Sequence, residues 1–257
     1  MLVYRETKQN FMQDVVDDRI AGRITEAFEA RLHRAQAGEK RAWKNSMEYM
    51  HKVLSTDDIS GDCGVAIEFG VPLTPSRIDF VLTGEAGDRG AAVIVELKQW
   101  EKLEKVERRD ALVRTYVGGA VQEKPHPSYQ AWSYARMIED YNEDVRNRRI
   151  DLAPCAYLHN YRAAAAGDPL FDDSYGRYLK EAPAFCQGDV RKLREFIAGE
   201  QFRDLPREER RMLVKQEVVM TELVDVLNER ITYWRGDDFQ LGKACDLSGD
   251  GTCEACQ

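Results

Sequence analysis

Phe11, Val15, Ile20, Ile24, Phe28 and Leu32 recur at intervals of four or five with polar residues between them, which predicts helix over residues 10–36. Trp43, Met47, Met50 and Leu54 extend the pattern into a second amphipathic helix over 38–54. The period then changes. Short apolar runs predict three strands near 64–70, 77–83 and 91–98, separated by a proline turn at 72–75 and a glycine-bounded loop at 84–90. A strand near 112–118 precedes a helix opened by Pro127 and Ser128, since proline is tolerated in a first helical turn. A strand at 153–158 and helices near 189–198 and 207–230 follow. A strand-rich centre flanked by helices predicts an α/β fold with a central mixed sheet. The expected organisation is an N-terminal helical segment (1–37), a main domain (38–232) and a cysteine-containing tail (233–257).

Two of these strands carry charge where a buried strand should be apolar. In Ser76-Arg77-Ile78-Asp79-Phe80-Val81-Leu82, Asp79 interrupts an apolar run; in Ala92-Val93-Ile94-Val95-Glu96-Leu97-Lys98-Gln99-Trp100, Glu96 and Lys98 do so. Alternation along a strand projects Glu96 and Lys98 from one face and Val95 and Leu97 from the other. Burying such groups is costly unless they are paired or bind a metal. Two carboxylates and a lysine on adjacent strands suit a divalent cation. Downstream, Gln130 and Tyr134 stand four apart on the helix opened by His126-Pro127-Ser128, a spacing that puts both on one face.

Asp79 followed by Glu96-Leu97-Lys98 resembles the D…(E)xK signature of the PD-(D/E)xK nuclease superfamily, and Gln130-x-x-x-Tyr134 resembles the motif after that strand in RecB-like members. Trp43-x-x-Ser46, Ile67-Glu68-Phe69, Arg77-x-Asp79, the His-Pro-Ser-x-Gln segment and Ala156-Tyr157-Leu158-His159-Asn160-Tyr161 follow in an order similar to the N-terminal nuclease-like domain of bacterial Schlafen-type ATPase/helicase proteins. The resemblance spans roughly residues 40–230. It implies a restriction-endonuclease-like core and Mg²⁺- or Mn²⁺-dependent hydrolysis of phosphodiester bonds in DNA, the favoured substrate, or RNA. Bacterial phage defence or repair is the implied setting, with an ATPase or helicase as a partner. Asp79, Glu96, the Leu97 carbonyl and Glu68 would hold the metal, with Glu48 the alternative to Glu68. Lys98 would orient water or stabilise the transition state, and Gln130 and Tyr134 would contact substrate or steady the lysine. For Glu68 an ion pair with Arg77 is the competing reading. For the whole set, the competing function is a non-catalytic nucleic-acid-binding or regulatory module.

The chain has 257 residues, 43% hydrophobic and 32% charged, enough apolar content for a core and enough charge for solubility. No apolar run approaches the roughly eighteen residues of a membrane span, and the start Met-Leu-Val-Tyr-Arg-Glu lacks the features of a secretory signal, so a cytoplasmic protein without membrane association is expected. The net charge of −8 opposes a broadly phosphate-binding surface. A local basic track would suffice, and two are candidates: Lys102, Lys105, Arg108, Arg109 and Arg114, directly after the ExK strand, and Arg146, Arg148 and Arg149. Either also fits a solvated face of mixed charge. His126 is expected to cap its helix, Trp100 and Trp132 to line the core or a groove, and His159 and Tyr161 to be structural.

Three C-terminal patterns invite other readings. Residues 236–244 resemble a phosphate-binding loop but have one residue too many and Ala244 where Ser or Thr is needed. Asp246-x-Ser248-x-Asp250-Gly251 resembles half a calcium loop, with Gln257 in place of the bidentate Glu. Cys245, Cys253 and Cys256 echo the trio that holds an iron–sulfur cluster in some RecB-like nucleases, for which Cys63, Cys155 or Cys186 would supply the fourth ligand. Their spacing departs from that pattern, and a disordered tail is the competing reading.

Overall fold

The computed structural model describes residues 2–71, 74–86, 89–147 and 150–203. Its centre is a six-stranded mixed sheet. Strands β2 (Gly64–Gly70), β3 (Arg77–Ala86) and β4 (Arg89–Lys98) form an antiparallel meander. β1 (Tyr4–Thr7) pairs antiparallel outside β2. On the other side β8 (Asp151–Leu158) runs parallel to β4, and β9 (Ala184–Cys186) parallel to β8, giving the order β1-β2-β3-β4-β8-β9.

Antiparallel neighbours need only a tight turn, whereas parallel neighbours need a crossover. The β4-to-β8 crossover is long. It carries a separate three-stranded sheet of β5 (Leu103–Lys105), β6 (Leu112–Val117) and β7 (Ala120–Pro125), then helices α4 (Pro127–Tyr141) and α5 (Glu143–Asn147). The β6–β7 turn is Gly118-Gly119, with φ of 63° and 83°; a two-residue turn with positive φ at both positions matches strand twist and favours glycine. At the start of α4, Pro127 occupies the first turn and His126 Nδ1 accepts from the Ser128 amide, the expected cap.

Each face of the sheet is covered. Helices α1 (Lys8–Val16), α2 (Ile20–Glu29), α3 (Ala37–Leu54) and α7 (Val190–Arg203) bring Phe11, Ile24, Phe28, Met50 and Ile197 against Val65, Phe80, Val93 and Val95. On the opposite face, Tyr134, Ala135 and Ile138 of α4 pack on Ala66, Val81, Ala92 and Ile94. β4 is therefore apolar on both sides through its middle, as a covered central strand must be. A third cluster seats Leu103 and Val113 of the small sheet on Ala156, Leu158, Tyr175 and Tyr178, the last from α6 (Gly176–Glu181).

Several boundaries differ from expectation. The 1–37 segment opens on a strand, and its helical stretch is two helices broken around residues 17–19. Its residues share the core with the central sheet: Phe11, Ile24 and Phe28 lie in the same apolar cluster as Val65, Phe80 and Val93. The 84–90 loop is strand on both sides, with β3 reaching Ala86 and β4 beginning at Arg89. The expected helix at 207–230, the tail at 233–257 and all three C-terminal patterns lie outside the described residues. Among the described residues no helix is long and apolar enough to cross a membrane.

Candidate active site

The β3–β4 ladder runs in register from Ala86↔Arg89 to Phe80↔Val95 and then stops. The next opposed residues, Asp79 and Glu96, do not pair through their backbones. Instead Asp79 Oδ2 accepts the Leu97 amide at 2.8 Å, so a side chain takes the place of a ladder carbonyl. β4 remains bonded to β8 on its other edge through Glu96↔Ala156 and Lys98↔Leu158. One edge of β4 is thus released while the other holds it, and the released end carries the acidic pair.

Glu96 is 1% exposed. Its Oε1 accepts from Lys98 Nζ at 2.5 Å, while Oε2 is buried and meets no nitrogen or hydroxyl donor. Asp79 lies within hydrogen-bonding reach of Glu96. Burial, reinforced by the charge of Glu96, pushes the Asp79 carboxyl up to about 8, against the pull of Lys98 and the Leu97 amide. Burial alone would lower Lys98, but Glu96 and Asp79 more than offset it and hold the ammonium above its ordinary value. The Trp100 ring faces this ammonium at 5.4 Å, adding a cation–π contact.

Helix α4 roofs the cluster. Tyr134 is buried and feels the charges of Glu96 and Lys98; burial first, then Glu96, raises its phenol. Gln130 Nε2 donates to the Tyr134 hydroxyl at 2.8 Å. Gln130 and Tyr134 therefore sit together over the acidic pair and its lysine.

Glu68 is placed differently. Simple alternation would aim it, like Ala66, at the α4 face. Its φ of +55°, rare for a residue with a side chain, breaks the β2–β3 pairing between Ile67↔Phe80 and Phe69↔Ile78. Phe69 consequently joins the α4-side core, and Glu68 accepts from Trp43 Nε1 at 2.8 Å and Arg77 Nε at 2.6 Å. Both oxygens are engaged, so the Arg77 ion pair is the state observed. The negative charge of Asp79, second to burial, still raises Glu68. Glu48 stands exposed on α3. Among the described residues no three His, Cys, Asp or Glu side chains converge as a ready-made metal cluster, and the engagement of Glu68 is the reason its carboxylate does not join Asp79 and Glu96. Of its holders, Arg77 was expected from sequence as an ion-pair partner, whereas Trp43 was visible only as part of Trp43-x-x-Ser46.

The first basic track is largely committed to local acids. Lys105 pairs with Asp172, Arg109 and Arg114 with Glu123. Cys63 and Cys155 are buried in one core cluster and Cys186 in another. Trp100 and Tyr161 are buried, and His159 is fully buried.

A family model described as Sequestin matches residues 190–233, a stretch that begins with α7 and contains none of the site residues. No curated protein and no solved structure matches the chain.

Proposed function

We propose that the protein is a metal-dependent nuclease of the PD-(D/E)xK type that hydrolyses phosphodiester bonds in DNA or RNA. The observation that carries this reading is the buried carboxyl pair at the released end of β4: Asp79 lies within hydrogen-bonding reach of Glu96, whose Oε1 is held by Lys98. Bringing two carboxyl groups together away from water is costly. A divalent cation gives that pairing a use; a purely structural ion pair with one lysine needs only one of them.

The donor set fits a hard divalent cation. Mg²⁺ takes oxygen ligands, and Asp79 and Glu96 would hold it with the Leu97 carbonyl as a further candidate. When bound, the ion would neutralise charge at the scissile phosphate and acidify a water. The chain's own groups account for the rest. Lys98, held by Glu96, presents a fixed positive charge for the phosphorane oxygens and orients the attacking water. Tyr134 and Gln130 offer a hydroxyl and an amide to the substrate backbone or to the lysine. Glu68 shapes the site from behind, through the inverted β2 backbone. Among the described residues, Lys105, Arg109 and Arg114 are paired with local acids, which favours recognition of a short stretch of backbone over extended electrostatic binding.

Labelled single- and double-stranded DNA and RNA, incubated with the protein and Mg²⁺ or Mn²⁺, should be cut, and chelation should stop cutting. Absence of cleavage with every substrate and both metals would sink the reading. Metal-independent binding without cleavage would support a binding module that works beside a separate ATPase or helicase.

A further inference from the structure

On the face of β4 and β8 away from α4, a set of polar side chains that the proposed chemistry does not use closes into a ring. Gln99 Nε2 donates to the Ala42 carbonyl at 2.8 Å and to Ser46 Oγ at 3.1 Å. Ser46 Oγ meets His159 Nε2 at 3.1 Å, His159 Nδ1 meets Asn160 Oδ1 at 3.0 Å, and Asn160 Nδ2 donates to the Gln99 carbonyl at 3.3 Å. The chain of contacts starts and ends on residue 99.

The direction of every bond follows from valence. A carbonyl only accepts, so the Asn160 atom facing the Gln99 carbonyl is its amide nitrogen, and Oδ1 is the atom that faces His159. Oδ1 only accepts, so His159 Nδ1 carries the proton. A neutral imidazole has one N–H, which leaves Nε2 bare, and the Ser46 hydroxyl donates to it. Ser46 Oγ is then free to accept from Gln99. Each member gives one hydrogen bond to the next around the circuit, and Gln99 gives a second to the Ala42 carbonyl.

The ring is buried where it matters. His159 is 0% exposed, stacked on Tyr49 at 4.3 Å and edge-on to Tyr157 at 5.9 Å; Ser46 is 7% exposed. It also grips one short piece of backbone. The His159 amide donates to the Lys98 carbonyl at 3.1 Å, the Asn160 side chain holds the next carbonyl, and the Gln99 side chain is pinned to α3. These bonds take over where the β4–β8 register ends, at Lys98↔Leu158.

We propose that Ser46, Gln99, His159 and Asn160 are positioning residues for Lys98: they fix the exit of β4, and so hold the ammonium on Glu96. Its bearing on turnover rests on the nuclease reading of Lys98. A strand that has lost its ladder on the β3 side would otherwise leave its last residue with one supported edge. Misplacing a catalytic group by about 1 Å costs on the order of a hundredfold in rate, so such support has consequences out of proportion to its binding energy.

The test uses the full chain with ¹⁵N-labelled lysine and reads side-chain ammonium signals, with Lys98 assigned by Lys98→Arg. Lys8 serves as the internal control, a buried ammonium held by the Thr56 and Ile59 carbonyls. In Ser46→Ala the Lys98 signal should shift or broaden away while that of Lys8 stays in place. His159→Gln is the second variant should the first fail to fold. An unchanged Lys98 signal in a folded variant overturns the proposal. So does an equal change at both lysines, which would make the ring a general brace. On a cleavable oligonucleotide, kcat should fall about tenfold or more with KM within about twofold. If the wild-type chain cuts nothing, the nuclease reading fails by itself, and the ammonium signals still decide whether the ring positions Lys98.

Discussion

Lys8 is buried and Lys98 half-buried, and their surroundings drive them in opposite directions. Lys8, at the start of α1, donates to the Thr56 and Ile59 carbonyls at 2.7 and 2.6 Å, while its backbone amide bonds Cys63. Its partners are neutral dipoles, and burial pulls its ammonium below the ordinary lysine value. Lys98 donates to one oxygen of Glu96 with Asp79 alongside, and its ammonium is held above that value. The first environment satisfies hydrogen bonds and ties a loop to a helix. The second brings two carboxyl groups to one lysine, and their burial together holds Asp79 protonated well above the usual carboxylate range. A buried lysine whose acceptors are all used is a fastener. A half-buried lysine beside two carboxyl groups belongs to a site built for something else.

The widest separation between the two regions should appear in cleavage. Asp79→Ala or Glu96→Ala should abolish it, by a thousandfold or more on the scale of about 10²–10³ for losing one transition-state contact plus the loss of a ligand, while the chain stays folded. Gel-based cleavage together with circular dichroism checks both halves. Wild-type activity in either variant would remove the site from the acidic end of β4.

Exchanging the lysines sharpens the contrast. Lys98→Ala should cut turnover by about tenfold or more and leave Mg²⁺ affinity in calorimetry equal or higher, since a neighbouring cation is gone. Lys8→Met should do the reverse. It strands two buried carbonyls, lowers stability by about 1–3 kcal/mol in urea melts and leaves turnover of the folded protein alone. If Lys8→Met slowed turnover as much as Lys98→Ala, the distinction between fastener and site would collapse.

Acidity provides a third comparison, in chelator. The Asp79 carboxyl is raised on folding from 3.8 to about 8, so between those values the folded chain binds the extra proton. Stability should therefore fall as pH rises through that window. Asp79→Asn keeps an oxygen for the Leu97 amide and cannot ionise. Its melts should lack this part of the slope, and near pH 8 it should be the more stable protein, by on the order of a few kcal/mol. Parallel pH profiles for variant and wild type would show that Asp79 is not protonated in the metal-free fold.

Much of the frame was legible because it depends on local pattern. The 64–70 and 91–98 segments are apolar runs bounded by turn residues, and β2 and β4 coincide with them or extend them. The ExK triplet marks the point where such a run turns polar. Short edge strands were not legible: β1 has four residues and β9 three, too few for an alternation to register, and both exist because a neighbouring strand offers a free edge. The turn at Glu68 was hidden for another reason. Ile67-Glu68-Phe69 reads as ordinary alternation, and only the contacts with Trp43 and Arg77, 25 and 9 residues away, show why the backbone inverts there. Gln99 escaped notice likewise, since its partners Ala42 and Ser46 lie on α3.

The smallest expected effects concern the roof of the site, where no group carries formal charge. Gln130 Nε2 donates to the Tyr134 hydroxyl, and that hydroxyl lies in the field of Glu96 and Lys98. Gln130→Ala removes a neutral hydrogen bond worth about 0.5–1.5 kcal/mol, from a half-buried side chain that fills no apolar gap. Stability should therefore move by no more than that, while cleavage weakens by about tenfold if the amide also meets substrate. Tyr134→Phe separates the two jobs of the ring. Its aromatic face packs with Ala135 and Ile138 on Ile94 and Val81, contacts that phenylalanine preserves. Lost activity with an unchanged melting temperature would assign the hydroxyl to substrate or lysine. Unchanged activity in both variants would reduce the roof to packing and leave the chemistry to Asp79, Glu96 and Lys98 beneath it, on the same side of the comparison but with a smaller site.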